Sequence, residues 1–210
     1  IVLPRKIPEM TFRSSGTTQT HPAQHHMVST WLYQQCARKT CGQYLVPPED
    51  AHHLALLPGY LERPDSSLVW MIHDFMQIAY DPPDRSFFKC DFDALIEQLD
   101  RRSAETSKPL ILWGVGFGLL DFAAHCRQQG YQLRSNVTVV ETGGMKGRRK
   151  EWIREALHEQ LGADLGVSSV ASEYGMTEMT SQAYARKNGF FQSPPWMNVL
   201  IRDSTDPFTL

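Results

Sequence analysis

Residues 108–130 read KPLILWGVGFGLLDFAAHCRQQG, and this stretch decides the fold. Lys108-Pro109 introduces an unbroken apolar run, Leu110 to Trp113, of the kind a strand carries when both of its faces are buried. Gly114, Gly116 and Gly118 then turn the chain from strand into an apolar helix that Gly130 terminates. These glycines lack the GxGxxG spacing, and no acidic residue follows at the ribose distance, so a dinucleotide-binding turn is set aside.

The same alternation recurs on both sides of this unit. His53 to Leu57, closed by Pro58-Gly59, predicts a buried strand, as does Asn136 to Glu141, which runs into Thr142-Gly143-Gly144. Further strands are expected over Ser168–Ser172 and over Met197–Arg202. Pro64-Asp65-Ser66-Ser67 starts a helix whose apolar stripe is Leu68, Val69, Ile72, Phe75, Met76 and Ile78. Asp91 caps another with Phe92, Leu95, Ile96 and Leu99 on one side. Residues 150–162 predict a helix with Trp152, Ile153, Ala156, Leu157 and Leu161 inward. An earlier helix is expected from Pro22 to about Lys39, with Met27, Trp31 and Gln35 in register and Gly42 as its stop. Strands alternating with helices predict an α/β fold with a mostly parallel sheet covered by helices on both faces.

At 210 residues the chain reads as one α/β domain, 1–210. A net charge of -2 argues against a nucleic-acid partner, because the basic residues gather only at Lys146, Arg148, Arg149 and Lys150, a solvated helix start. Cys36, Cys41, Cys90 and Cys126 form no CxxC pair, so neither a disulfide framework nor a zinc knuckle is suggested, and a reduced, cytoplasmic setting is the expectation. No apolar run approaches a membrane span, and residues 1–10 lack a signal-peptide core. His21, His25 and His26 read as polar-face residues rather than metal ligands, having no carboxylate at matching spacing. The chain begins without Met and stops abruptly at Asp206-Pro207-Phe208-Thr209-Leu210, which reads as a fragment, and an interrupted sheet edge predicts self-association.

Two polar stretches carry the chemistry. FRSSGTTQTHP, residues 12–22, brings hydroxyls from Ser14, Ser15, Thr17 and Thr18 around Gly16, whose missing side chain lets the backbone approach an anion. A helix beginning at Pro22 would add its free N–H groups at the same place. SEYGMTE, residues 172–178, is expected between a strand and a helix. Taken with LALLPGYLERPDSSLVWMIHDF (54–75), ETGGMKGRRKEW (141–152) and EYGMTEMTSQAYA (173–185), these stretches resemble the adenylate-forming enzymes, and within them the LuxE-like acyl-protein synthetase branch, from about Phe12 to the C-terminus.

That resemblance implies the nucleotide-binding core of the large N-terminal domain, with a preceding portion, the ribose-binding strand and the small C-terminal domain lying outside this chain. It implies an ATP-dependent ligase: a carboxylic acid, by analogy a fatty acid, attacks the α-phosphorus of ATP, and the acyl group then passes to a thiol on a protein cysteine or a CoA-type acceptor. It assigns adenine to Tyr174, the α-phosphate to Thr177 and Mg²⁺ to Glu178. Ser14, Ser15, Gly16, Thr17, Thr18, Gly143, Gly144 and Gly175 complete the nucleotide site. The chain departs from the family where Gln19-Thr20-His21-Pro22 replaces the usual glycine–any–proline–lysine, so no lysine stands in the loop. A second reading, a non-catalytic subunit that binds a nucleotide or a partner subunit, follows from that departure. An α/β hydrolase is set aside because GxSxG is absent.

Overall fold

The computed structural model describes residues 7–14, 23–57, 63–143, 152–186, 189–201, 203 and 205–206. Its larger sheet has six strands among the described residues: β3 (His52–Leu56), β4 (Phe87–Phe88), β5 (Leu110–Gly114), β6 (Val137–Glu141), β7 (Ala171–Tyr174) and β8 (Ala183–Ala185). They lie in the order β4-β3-β5-β6-β7-β8, all parallel except β8. β5 sits at the centre because all five of its residues are buried. A separate antiparallel hairpin pairs β1 (Met10–Arg13) with β2 (Gln24–Met27).

Helices α1 (Trp31–Tyr44) and α2 (Ser67–Ile78) cover one face, packing Tyr33, Ala37, Met71, Ile72 and Phe75 against Ala55, Ile111, Trp113 and Val140. Helices α3 (Phe92–Glu105), α4 (Gly116–Gln129) and α5 (Arg154–Leu165) cover the other, over Leu54, Leu56, Leu112 and Val139. The alternation of apolar partners along β3 and β5 follows from the two-residue side-chain period of a strand. Caps set two helix starts as expected: Ser66 Oγ accepts from the Val69 N–H, and the Asp91 carboxylate accepts from the Ala94 N–H. Gly130 closes α4 with φ of 66°. Gly114 is needed for packing, since a methyl there would lie 2.6 Å from Leu119. All four cysteines are free, and no helix among the described residues is long and apolar enough to cross a membrane.

Several expectations are corrected. No helix runs from the region of Pro22; residues 24–27 form β2, and α1 starts only at Trp31. The Met27, Trp31, Gln35 spacing mimicked a helical stripe, whereas α1 buries Tyr33, Ala37, Thr40 and Cys41 and leaves Trp31 63% exposed. Gly42 lies inside α1, not at its end. α5 begins at Arg154, so Trp152 and Ile153 precede it and stand exposed. β7 lies later than expected, because Gly166 ends α5 in a left-handed turn and residues 167–170 complete the connection. No helix follows the 172–178 motif; the chain turns and returns as β8. Residues 197–201 form no strand: they pair with no strand among the described residues, the Met197 N–H donates to the Pro194 carbonyl in a turn, and Val199, Leu200 and Ile201 are exposed.

One buried polar network braces the sheet below its working edge. Asp81 accepts from Arg102 Nη1 at 2.7 Å, from His52 Nδ1 at 2.7 Å and from the His53 N–H at 2.7 Å. Arg102 Nη2 donates to Ser86 Oγ at 2.8 Å. His53 is neutral: Nε2–H donates to the Pro48 carbonyl while Nδ1 accepts from Trp113 Nε1, and burial pushes its pKa down to about 4. Removing one partner leaves the other charge buried alone, so Asp81→Ala is expected to cost about 3–5 kcal/mol by urea denaturation. His53 adds a pH dependence. Unfolded, it takes a proton below about 6.5, while the folded state resists until about 4, so stability should fall as pH drops through that window and be fully present above it. Substituting His53→Gln should flatten that slope in a pH series of chemical melts.

Candidate functional site

The parallel strands end along one edge, and their register makes a single row there: Leu56, Gly114, Glu141 and Ser172 are successive cross-strand partners. Ligands of open α/β sheets bind beyond that edge. A cleft of about 260 Å³ opens at it, lined by Ser14 just past β1, Tyr33 from α1, Arg63, Ser66 and Met71 from α2 and its approach, and Thr142 beyond β6. The segment after β7 supplies Gly175, Met176, Thr177 and Glu178, with Glu173 and Gln182 completing the wall.

The hairpin reaches this edge through three sets of hydrogen bonds. Ser14 and Ala23 close the base of its loop, the Ser14 N–H donating to the Ala23 carbonyl and the Ala23 N–H to Ser14 Oγ, each at 2.9 Å. Arg63 Nη2 donates to the carbonyls of Arg13 and Ser14 at 3.0 and 2.9 Å. His25 Nδ1–H donates to the Thr177 carbonyl at 3.0 Å, although 152 positions separate the two residues. His25 can do this because it shares the inward face of the hairpin with Phe12, its cross-strand partner.

The structure therefore brings Ser14, Gly175, Thr177 and Glu178 to one cleft. Ser15, Gly16, Thr17, Thr18, Gly144 and the basic cluster of residues 146–150 lie outside the described residues. Gly143 stands beside the cleft with φ of 74°, a left-handed backbone that glycine alone adopts without strain, and its N–H is engaged by Glu141 Oε1. Tyr174 does not line the cleft. Its ring, 42% exposed, packs on Phe191 with centroids 5.7 Å apart, and the Arg154 guanidinium lies 4.6 Å over the Phe191 ring. Tyr174 and Phe191 make an aromatic surface just past the end of β7.

Glu178 is exposed at the rim. Among the described residues no three His, Cys, Asp or Glu side chains are gathered to hold a metal. A single carboxylate at the rim fits Mg²⁺, which keeps several waters and takes its remaining oxygens from substrate phosphates rather than from a protein cage.

Arg63, Glu173 and Gln182 are among the cleft residues that the sequence reading did not name. Glu173 lies on the face of β7 opposite to Ser172, is 7% exposed, and receives no hydrogen bond from a described residue. Burial first, and the nearby Glu141 second, push its pKa up to about 8. Gly175 makes room for it, since a methyl there would meet Glu173 Oε1 at 2.5 Å and Gln182 Cγ at 3.6 Å. Gln182 is 2% exposed, and its Oε1 has no hydrogen-bond partner among the described residues. The signal available was a lone acid interrupting an otherwise buried strand immediately before the Tyr-Gly pair. On the other face, Ser172 Oγ stands 3.4 Å from Glu141 Oε2 and 3.2 Å from His158 Nε2. Serine occupies the middle of that trio, so it lacks the nucleophile–histidine–carboxylate order of a hydrolytic triad.

No protein-family model matches this chain, and no curated protein matches it either.

Glu173 destabilises the fold at neutral pH. The unfolded carboxyl ionises from about 4.5 upward and the folded one only near 8, so stability is full below the lower value and falls as pH rises through the window. Glu173→Gln should therefore raise the melting temperature near pH 8 by several degrees and leave it nearly unchanged near pH 4, measured by differential scanning calorimetry.

Proposed function

We propose that this chain is the nucleotide-binding core of an enzyme that activates a carboxylic acid with ATP. What carries the proposal is the meeting of two hydroxyl-bearing segments on one cleft, the base of the 15–22 loop and the Thr177 turn, joined by the His25–Thr177 hydrogen bond. Hydroxyls from Ser14 and Thr177 at the carboxyl edge of a parallel sheet suit phosphate, and the Tyr-Gly-x-Thr-Glu pattern suits the rest of a nucleotide.

In this reading an oxygen of the substrate carboxylate attacks the α-phosphorus of ATP, the bond to the bridging oxygen breaks, and pyrophosphate leaves. The acyl group of the resulting acyl-adenylate then passes to a thiol, with AMP released. Two anions must approach each other, so the protein's contribution is placement and charge neutralisation. Ser14 Oγ accepts from the Ala23 N–H and keeps its own proton to donate. The Thr177 hydroxyl serves the α-phosphate, and the Tyr174–Phe191 surface serves the base. Arg63 supplies at the cleft wall the positive charge that the loop lacks without a lysine, and its guanidinium already holds the loop base. Mg²⁺ held by Glu178 would screen the phosphate charge.

Nucleotide binding should appear as a rise in melting temperature. ATP with Mg²⁺ at roughly a hundred times its Kd adds about 2.7 kcal/mol, which corresponds to about 5 °C or more for a chain of this size. No shift at millimolar nucleotide would contradict the proposal. Arg63→Ala should weaken ATP about tenfold and AMP much less, because its charge acts on the outer phosphates. Acid-dependent exchange of labelled pyrophosphate into ATP then separates activation from a binding-only subunit, which gives none.

A further inference from the structure

Among the described residues, the deep wall of the cleft carries two acceptor groups that no donor meets. Glu173 brings two carboxyl oxygens to which no described residue donates and which open to the cleft, and Gln182 brings a buried Oε1 without a partner among the described residues. Tyr33 donates its hydroxyl proton to the Ser67 carbonyl at 3.1 Å, and the Gln182 side chain is a further hydrogen-bond partner of that hydroxyl. The cation of the lining, Arg63, is turned to the hairpin carbonyls and lies 3.5 Å from the Asp65 carboxylate. Glu173 Oε1 and the Cγ of Gln182 both border the space left by the missing side chain of Gly175, and both residues line the cleft.

An unsatisfied buried acceptor destabilises a fold, and a buried carboxyl without a counter-ion does so more strongly. Groups that destabilise a fold at a cleft wall are those expected to be completed by a ligand. The matching ligand presents several donors and a positive charge in a small volume. A primary ammonium does this: three N–H donors on one nitrogen.

We propose that Glu173 and Gln182 form a subsite for a protonated primary amine, so that the cleft takes a short amine-bearing ligand in place of a long apolar chain. The polar deep wall of the cleft suits an amine-bearing group better than a long apolar chain. That the amine belongs to the activated acid rests on the function proposed above; the subsite itself does not. An acid bound this way points its carboxylate away from Glu173 and toward Ser14 and Thr177.

Ammonium binding requires Glu173 as a carboxylate. The ionisable groups facing it are Tyr33 and Cys41 from α1, Tyr184 from β8, Glu141 from β6, and Arg63 and Glu178 around the cleft. Burial holds the tyrosines and Cys41 neutral over the range tested, so Glu173 dominates the titration. Below about pH 8 binding must first release its proton, and affinity should rise with pH and then level.

The test is titration calorimetry of the chain with n-butylamine, 4-aminobutanoate and butanoate at two pH values, beside ATP with Mg²⁺ as a separate ligand. Both amines should bind about tenfold more tightly near pH 8.5 than near pH 6.5, butanoate should bind at least tenfold more weakly than 4-aminobutanoate, and Glu173→Gln should abolish the amine signal while leaving that of ATP. Gln182→Met should weaken the amines several-fold if Glu173→Gln misfolds. Amines that fail to bind while ATP binds, or affinity that falls with rising pH, overturn the subsite and leave the nucleotide reading standing. Amines that bind while ATP does not overturn the nucleotide reading and leave the subsite.

Discussion

The constraint behind everything described is the pairing of a fully buried strand. β5 has no face in water, so each of its backbone groups must be met by β3 on one side and β6 on the other, and the parallel register that results aligns Leu56, Gly114, Glu141 and Ser172. Helices then have to cross both faces, and their connecting segments gather at the two edges of the sheet. One of these edges receives the residue after Glu141 and the residues after Tyr174. The hairpin adds the base of the 15–22 loop from outside the sheet, through Arg63 and His25.

Two buried polar groupings show how differently one fold can treat charge. Asp81 is surrounded by donors, from Arg102, His52 and the His53 backbone, so its burial is compensated and it locks β3 to α3 and to the segment before β4. Glu173 has an acidic neighbour in Glu141 and no donor among the described residues, so its burial is uncompensated. Packing alone does not account for that, because Gly175 gives up a side chain to make room for it. The contrast between a satisfied carboxylate in the frame and an unsatisfied one at the cleft is what turns a description of folding into one of ligand recognition.

Much of the frame was legible in the sequence. β3, β5 and β6 announce themselves as short apolar runs closed by glycine or proline, and α2 and α3 by Ser66 and Asp91 in capping positions. The hairpin was not legible, because Gln24-His25-His26-Met27 has little strand character and borrows its stability from Phe12, Tyr33 and Trp70, whose rings cluster within 6.1 Å of one another. β8 is three residues long and depends on pairing with β7. Residues 197–201 carry the composition of a strand without a described partner, and composition cannot supply one. At the site, motif residues Ser14, Gly175, Thr177 and Glu178 could be named in advance, whereas Arg63, Glu173 and Gln182 owe their place to tertiary packing.

The most direct test of the account is a crystal structure of the chain with AMP or a non-hydrolysable acyl-adenylate mimic. The account predicts the phosphate between Ser14 and Thr177 and the base against the Tyr174–Phe191 surface. A nucleotide seated elsewhere, for instance in the larger cavity of about 610 Å³ lined by His158, Gly162, Val170 and Arg186, would contradict it.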